Sequence, residues 1–411
     1  MKAGKGIQTV IDYLRENGER SFREKPMTEV ECLAFSLLSY LKFDGMVPGV
    51  KERKKAVTLE SLAERPDFEN LYADTWFEKE YRALIEGMLA GKRYRNIKLN
   101  YYVNVLEKES EIQFSAITLR LDDGTIFLSF RGTDESIVGW KEDFNMAFLT
   151  PVAGQEKGVK YVNMVASRLR KPFYIGGHSK GGNLAVYSAM NCKPEVQDRI
   201  VQVFSMDGPG FRPEIMDRGN YGKIKDRVVK ILPHSSLVGM LFESDMHFEV
   251  VESKTFGLVQ HDAFTWVVEG EHLKRVQDIY KIRKKMDNTL NTWILSLNEE
   301  QLRTFVDTLY EVISASEVDD LMEFTADWKQ NMNKVITALK EVDEETSRIL
   351  KTVIKALFDI AGAKMKQEMA AGTRNVIDGT KKLVKQSKVK LASLKSQNEE
   401  GPDVPDATVP L

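Results

Sequence analysis

The chain is 411 residues long and 42% hydrophobic, enough apolar material to build sizeable cores in roughly two or three domains. Its 59 lysines and arginines against 61 acidic residues leave a formal charge of -2, which excludes a general electrostatic pull towards nucleic acid or an anionic membrane. Cys32 and Cys192 are too few for a disulfide scaffold, and no apolar run approaches the roughly 20 residues that span a bilayer.

The opening MKAGKGIQTVIDYLRENGER has no apolar run of the signal-peptide kind, so a soluble cytoplasmic protein is expected. Residues 1–27 are charged and weakly patterned and read as an N-terminal arm with at most a short helix. From Thr28 the pattern turns helical: Thr28 and Glu31 form a capping box ahead of an apolar stripe of Leu33, Leu37, Leu38 and Leu41. Helical character continues over 57–90. The β-rich runs IQFSAITLRLDD and TIFLSFRGTD then flank Asp122-Asp123-Gly124, a hairpin signal.

A helix is predicted from about Lys157 to Leu169, a strand in FYI, a helix from Asn183, and strands in IVQVFSM and RVVKILP, the second stopped by Pro233. FEVVESKTFG is the last β-run. Strands alternating with helices predict an α/β fold whose sheet is mostly parallel after the opening hairpin, spanning residues 28–270. Residues 271–392 hold no proline and read as an added C-terminal helical region, for packing or interaction. Residues 393–411, with three prolines, read as a disordered tail. Within the helical region, the lysine-rich stretch 381–395 reads first as a solvated face and second as a peripheral contact to anionic lipid headgroups.

The most informative stretch is PFYIGGHSKGGNLAVYSAM. Gly177-His178-Ser179-Lys180-Gly181 fits the G-x-S-x-G nucleophile elbow, and the strand before and helix after it are the context that motif requires. The tight turn needs glycines beside the serine and aims the next backbone N–H, that of Lys180, at a developing oxyanion. A phosphate loop fits poorly, because the lysine follows the serine instead of preceding it. Chain order in such hydrolases is serine, acid, histidine, so the base lies after Ser179. His261, after the last β-run, is the expected base and His247 the runner-up; His178, inside the elbow, reads as structural. Two acids stay open: Asp207, which ends a strand, ahead of Asp245, which precedes one. No cluster has metal-ligand spacing, and no dinucleotide fingerprint or nucleic-acid-binding module occurs, so neither metal nor cofactor is expected.

FRGTDESIVGWKEDF together with IGGHSKGGNLAVYSA resembles the class 3 lipases among the α/β-hydrolases. More closely, the chain resembles a bacterial lipase-like family of unassigned function that shares GHSKGGNLA and DGPGF. The resemblance covers about 28–270 and implies that Thr133 supplies a second oxyanion N–H, with Trp140 and Asp143 as scaffolding. Two departures stand out. Those lipases carry leucine where this chain has Lys180, whose cation would either favour anionic substrates or point to solvent. They place their acid just after the strand matching RVVKILP, where this chain reads His234-Ser235-Ser236. The expected function is therefore a serine hydrolase of carboxylic esters, acting on an ester or lipid-like small molecule through an acyl-enzyme on Ser179. The alternative is a hydrolase fold with weak or no turnover that binds partners through its C-terminal helices.

Overall fold

The computed structural model describes residues 7–276, apart from positions 53, 74, 76, 108–111, 134–145, 147–150, 219, 235, 237, 242–245 and 256. Trp140, Asp143 and Asp245, nearly all of the predicted C-terminal helical region, its lysine-rich stretch and the tail lie outside the described residues.

Eight strands hydrogen-bond side by side in chain order. They are β1 (Val57–Thr58), β2 (Lys98–Glu107), β3 (Ile112–Arg120), β4 (Ile126–Phe130), β5 (Phe173–His178), β6 (Ile200–Met206), β7 (Val228–Pro233) and β8 (Phe248–Val251). The pairings from β1 to β4 are antiparallel, with β3 and β4 forming the hairpin predicted around Asp122-Asp123-Gly124. From β4 to β8 every pairing is parallel. A parallel strand must be covered on both faces, and β4 is buried along its whole length.

Helices cover both faces. α1 (Val10–Asn17), α2 (Glu29–Leu38), α3 (Leu59–Ala63), α4 (Glu78–Ala90) and α5 (Lys92–Arg95) precede β2, and α1, α2 and α4 share one apolar cluster with Phe127, Phe204 and Ile231 of the sheet. α6 (Ala153–Arg168) and α7 (Lys180–Asn191) share a second cluster with Ile126, Leu128 and Phe130. The period-2 alternation along β4 thus feeds the two clusters in turn. Every residue of α7 from Lys180 to Met190 is buried, as expected for the helix that leaves the centre of the sheet.

Several boundaries differ from expectation. The short helix allowed in the N-terminal arm is α1, and it packs into the core, its Val10, Tyr13 and Leu14 belonging to the first cluster. α6 begins at Ala153, where Gln155 caps the helix by accepting from Val152 N at 3.1 Å. β1 and β2 were not legible in the sequence. β1 is two residues long, and β2 breaks its own alternation by a register shift between Asn100 and Val103, with Tyr101 at φ 54°. Beyond Gly270 a short strand, His272–Leu273, pairs back on Val268–Glu269. Among the described residues no helix is long and apolar enough to cross a membrane.

The mostly parallel sheet, the helices on both faces and the strand–serine–helix turn at its centre make this an α/β-hydrolase fold. Active sites in open α/β sheets collect at the carboxyl ends of the strands, and Ser179 and Asp207 follow the last residues of β5 and β6 directly.

Candidate active site

The elbow serine carries backbone strain. Ser179 has φ 58° and ψ -133°, a conformation that L-residues with side chains rarely adopt, and α7 starts at the next residue. Its N–H donates to Met206 O at 2.9 Å, so the ladder to β6 continues up to the nucleophile. Gly177 and Gly181 make the turn sterically possible. A Cβ on Gly177 would run into the backbone of Gly181, and one on Gly181 would run into Phe130 O at the end of β4. Gly176 is constrained differently: a Cβ there would sit 2.6 Å from the Phe127 ring.

Asp207 follows β6 with φ 52°, another non-glycine residue in the left-handed region. Its N–H donates to Ile231 O at 2.8 Å and its side chain is fully buried. Oδ2 accepts from His261 Nδ1 at 2.7 Å. Oδ1 accepts from Ser236 Oγ, which in turn accepts from Gly239 N at 2.9 Å. The carboxylate therefore has a partner on each oxygen. With the proton on Nδ1 directed at a carboxylate, the lone pair of His261 lies on Nε2, the tautomer a general base needs. The His261 side chain is 23% exposed while its acid is 0% exposed, so the base opens towards solvent from a buried anchor.

His178 braces His261. Its ring lies against that of His261, with centroids 4.7 Å apart, and Nε2 donates to the His261 carbonyl at 2.8 Å. Nδ1 accepts from Tyr40 OH at 2.9 Å, so one neutral tautomer satisfies both contacts. Burial, and after it the neighbouring His261, pushes the His178 pKa well below its ordinary value. Trp266, whose ring lies edge-on to that of His178, donates from Nε1 to Gln260 O at 2.8 Å. Among the described residues no hydrogen bond joins Ser179 Oγ to His261.

The candidate oxyanion donors flank this group. Arg131, Gly132 and Thr133 run off the end of β4; a Cβ on Gly132 would collide with Tyr40 OH and approach His178 O to 2.7 Å, so only glycine lets this loop lie against the elbow. Lys180 opens α7, which puts its N–H at the positive end of the helix dipole. Both expectations for the Lys180 side chain need correction. It neither points to solvent nor stands open to an anionic substrate: the residue is 1% exposed and Nζ donates to Gln113 Oε1 at 2.5 Å.

Of the residues singled out in the sequence, the structure brings Asp207 and His261 into contact, with Ser179 next in chain to the histidine that braces the base. His247 is exposed ahead of β8. Tyr40, Gln113 and Ser236 were missed. Ser236 sits in the slot where the resembled lipases carry their acid, and there its hydroxyl serves a carboxylate supplied by the neighbouring strand, β6. The absence of an acid from that slot was its one signal.

The chain is similar to several solved structures. The M37 lipase is 16% identical over 52% of this chain and 69% of its own, with a TM-score of 0.34. The Rhizomucor miehei lipase in its propeptide complex is 16% identical over 48% of this chain and 70% of its own, with a TM-score of 0.30. The Lip2 lipase from Yarrowia lipolytica is 12% identical over 50% of this chain and 79% of its own, with a TM-score of 0.29. No curated protein matches the chain. A family model described as Mbeg1-like matches residues 88–311.

Proposed function

The chain belongs to the Mbeg1-like family, and we propose that it is a serine hydrolase that cleaves carboxylic esters through an acyl-enzyme on Ser179. The observation that carries the reading is the buried Asp207–His261 contact at 2.7 Å beside a serine held at positive φ. A structural helix cap needs neither the strained backbone nor an imidazole oriented by a buried carboxylate.

In this mechanism Ser179 Oγ forms a bond to the ester carbonyl carbon while its proton passes to His261 Nε2. That step requires Oγ and Nε2 to come within hydrogen-bond reach, a contact that often tightens only with substrate bound. Asp207 stabilises the imidazolium that forms. The carbonyl oxygen becomes an oxyanion held by the N–H groups of Thr133 and Lys180, each such donor being worth about 10²–10³ in rate. Collapse expels the alkoxide, which takes the proton from His261 and leaves as an alcohol. Water then attacks the acyl-enzyme with His261 again accepting the proton, and the carboxylic acid departs with Ser179 restored.

The alternative of a hydrolase fold without turnover drew on the missing acid at the lipase-type slot, and Asp207 in contact with His261 removes that ground. A fluorophosphonate probe tests the reading. The parent chain should be labelled, and Ser179→Ala and His261→Ala should not be. A folded parent that resists the probe would count against catalysis, and labelling that survives His261→Ala would rule out the base assigned here.

A further inference from the structure

A side-chain link joins the two candidate oxyanion donors. Lys180 is buried, yet its side chain crosses from the start of α7 to β3, where Nζ donates to Gln113 Oε1 at 2.5 Å. Gln113, itself fully buried, donates from Nε2 to Gly132 O at 3.3 Å. The two partners decide which way the amide faces. An ammonium has only donors, so Oε1 must meet it; a carbonyl oxygen has only lone pairs, so Nε2 must meet Gly132. The Gly132 carbonyl and the Thr133 N–H belong to one planar peptide unit. Fixing the carbonyl therefore aims the N–H, and drawing electron density onto the carbonyl oxygen makes that N–H a stronger donor.

We infer that Lys180 and Gln113 form an amide relay, from the ammonium through the glutamine amide to the Gly132–Thr133 peptide, that orients and polarises the Thr133 arm of the oxyanion hole. The inference rests on the hydrolase reading above. Lys180 then serves both arms: its own backbone N–H is one donor, and its side chain tunes the other. Successive hydrogen bonds polarise one another most where water is excluded, and the side chains of the relay are buried. A leucine after the nucleophile, as in the lipases this stretch resembles, has no charge to pass on. Lys180 and Gln113 are positioning residues, acting on the reacting oxygen through the Thr133 peptide.

The test uses the full chain, the fluorophosphonate probe, a p-nitrophenyl ester of a short acid and an aryl boronic acid whose serine adduct places an oxygen in the oxyanion hole. Lys180→Met keeps the buried stem and removes the charge. Gln113→Glu keeps an acceptor for Lys180 and removes the donor to Gly132. Each should lower kcat about 10–100-fold with KM held within about twofold, short of the loss of a whole oxyanion donor. Boronic acid affinity should fall by the same factor as kcat, a proportion that a purely structural loss would not produce. The double variant should lose no more than the worse single variant, because the relay acts as a unit. A thermal melt reports folding, and Gln113→Glu carries the measurement if Lys180→Met does not fold. Folded variants that keep kcat within about twofold of the parent, or losses that multiply in the double variant, overturn the relay and leave the hydrolase reading standing. A folded parent chain that the probe does not label overturns the hydrolase reading and the relay with it.

Discussion

Two clusters of buried charge among the described residues invite comparison, and they differ in the marks of chemistry they carry. In the first, Arg93 donates to both oxygens of Glu31, from Nε at 2.6 Å and Nη2 at 2.9 Å, with both side chains 0% exposed. Its remaining donors reach Arg20 O, Lys25 O and Pro26 O, while Tyr94 OH and Thr28 N satisfy the carboxylate further. The second cluster, Asp207 with His261 and His178, is anchored as deeply at its acid. It differs in two ways: Ser179 and Asp207 both have positive φ, and the His261 side chain is 23% exposed. Burial of a charge does not separate fastening from function. A saturated set of partners on ordinary backbone fastens; an unfilled valence on strained backbone is built to act.

The sharpest way to break this comparison is to neutralise the acid of the second cluster without changing its shape. Asp207→Asn should lower ester turnover about 10⁴-fold, as loss of the orienting acid does in other triads, and move the melting temperature little. A variant that unfolds yet keeps its turnover per folded molecule would make Asp207 another fastener. The opposite is expected of the first cluster. Arg93→Met strands Glu31 as a buried unpaired carboxylate and should destabilise the fold by about 3–5 kcal/mol, read from urea unfolding, while kcat of the folded fraction stays unchanged. A comparable loss of kcat would mean that the two clusters are coupled.

Ser236→Ala probes the boundary between the two kinds of cluster, since Ser236 donates to the carboxylate of the proposed acid, Asp207. Hydrogen bonds to charged groups are worth about 1.5–3 kcal/mol, and the lower end corresponds to about a tenfold fall in kcat. Threonine at this position should restore most of the rate, because it keeps the hydroxyl. Rates unchanged by alanine would show that Asp207 holds its place through His261 and its backbone alone.

Legibility in the sequence follows the same division. The elbow was visible because two glycines must stand where a Cβ would strike Gly181 or Phe130, and that need is local. Chain order, which the fold imposes, pointed to His261 and Asp207, which the structure brings into contact, although the sequence left Asp245 open beside Asp207. The direction of the Lys180 side chain was not legible, because Gln113, the partner that draws it inward, is 67 residues away on β3. Ser236 hid for a related reason: a hydroxyl in a loop carries no pattern until the carboxylate it serves is placed. β2 failed on geometry, since its bulge destroys the alternation by which strands are read. Nor does Glu31, found as a helix cap, announce Arg93, its partner 62 residues on.

Acid separates the clusters with the smallest expected effect. His178 is buried and neutral, its pKa held well below the ordinary 6.5 by burial and then by His261. In the unfolded chain the same ring titrates near 6.5. Below that pH the unfolded state binds a proton that the folded state refuses, so stability falls as pH falls, by up to about 1.4 kcal/mol per pH unit. Above it both states are neutral and the contribution is flat. Arg93 keeps its charge throughout this range. Urea midpoints measured from about pH 7.5 down to about 5 should therefore fall more steeply in the parent than in His178→Gln, which retains a donor for the His261 carbonyl but cannot titrate. Equal slopes for the parent and His178→Gln would show that the imidazole is protonated as readily in the folded chain as outside it. The Tyr40–His178–His261 brace would then have to hold with a cation at its centre, where Nδ1 no longer accepts from Tyr40.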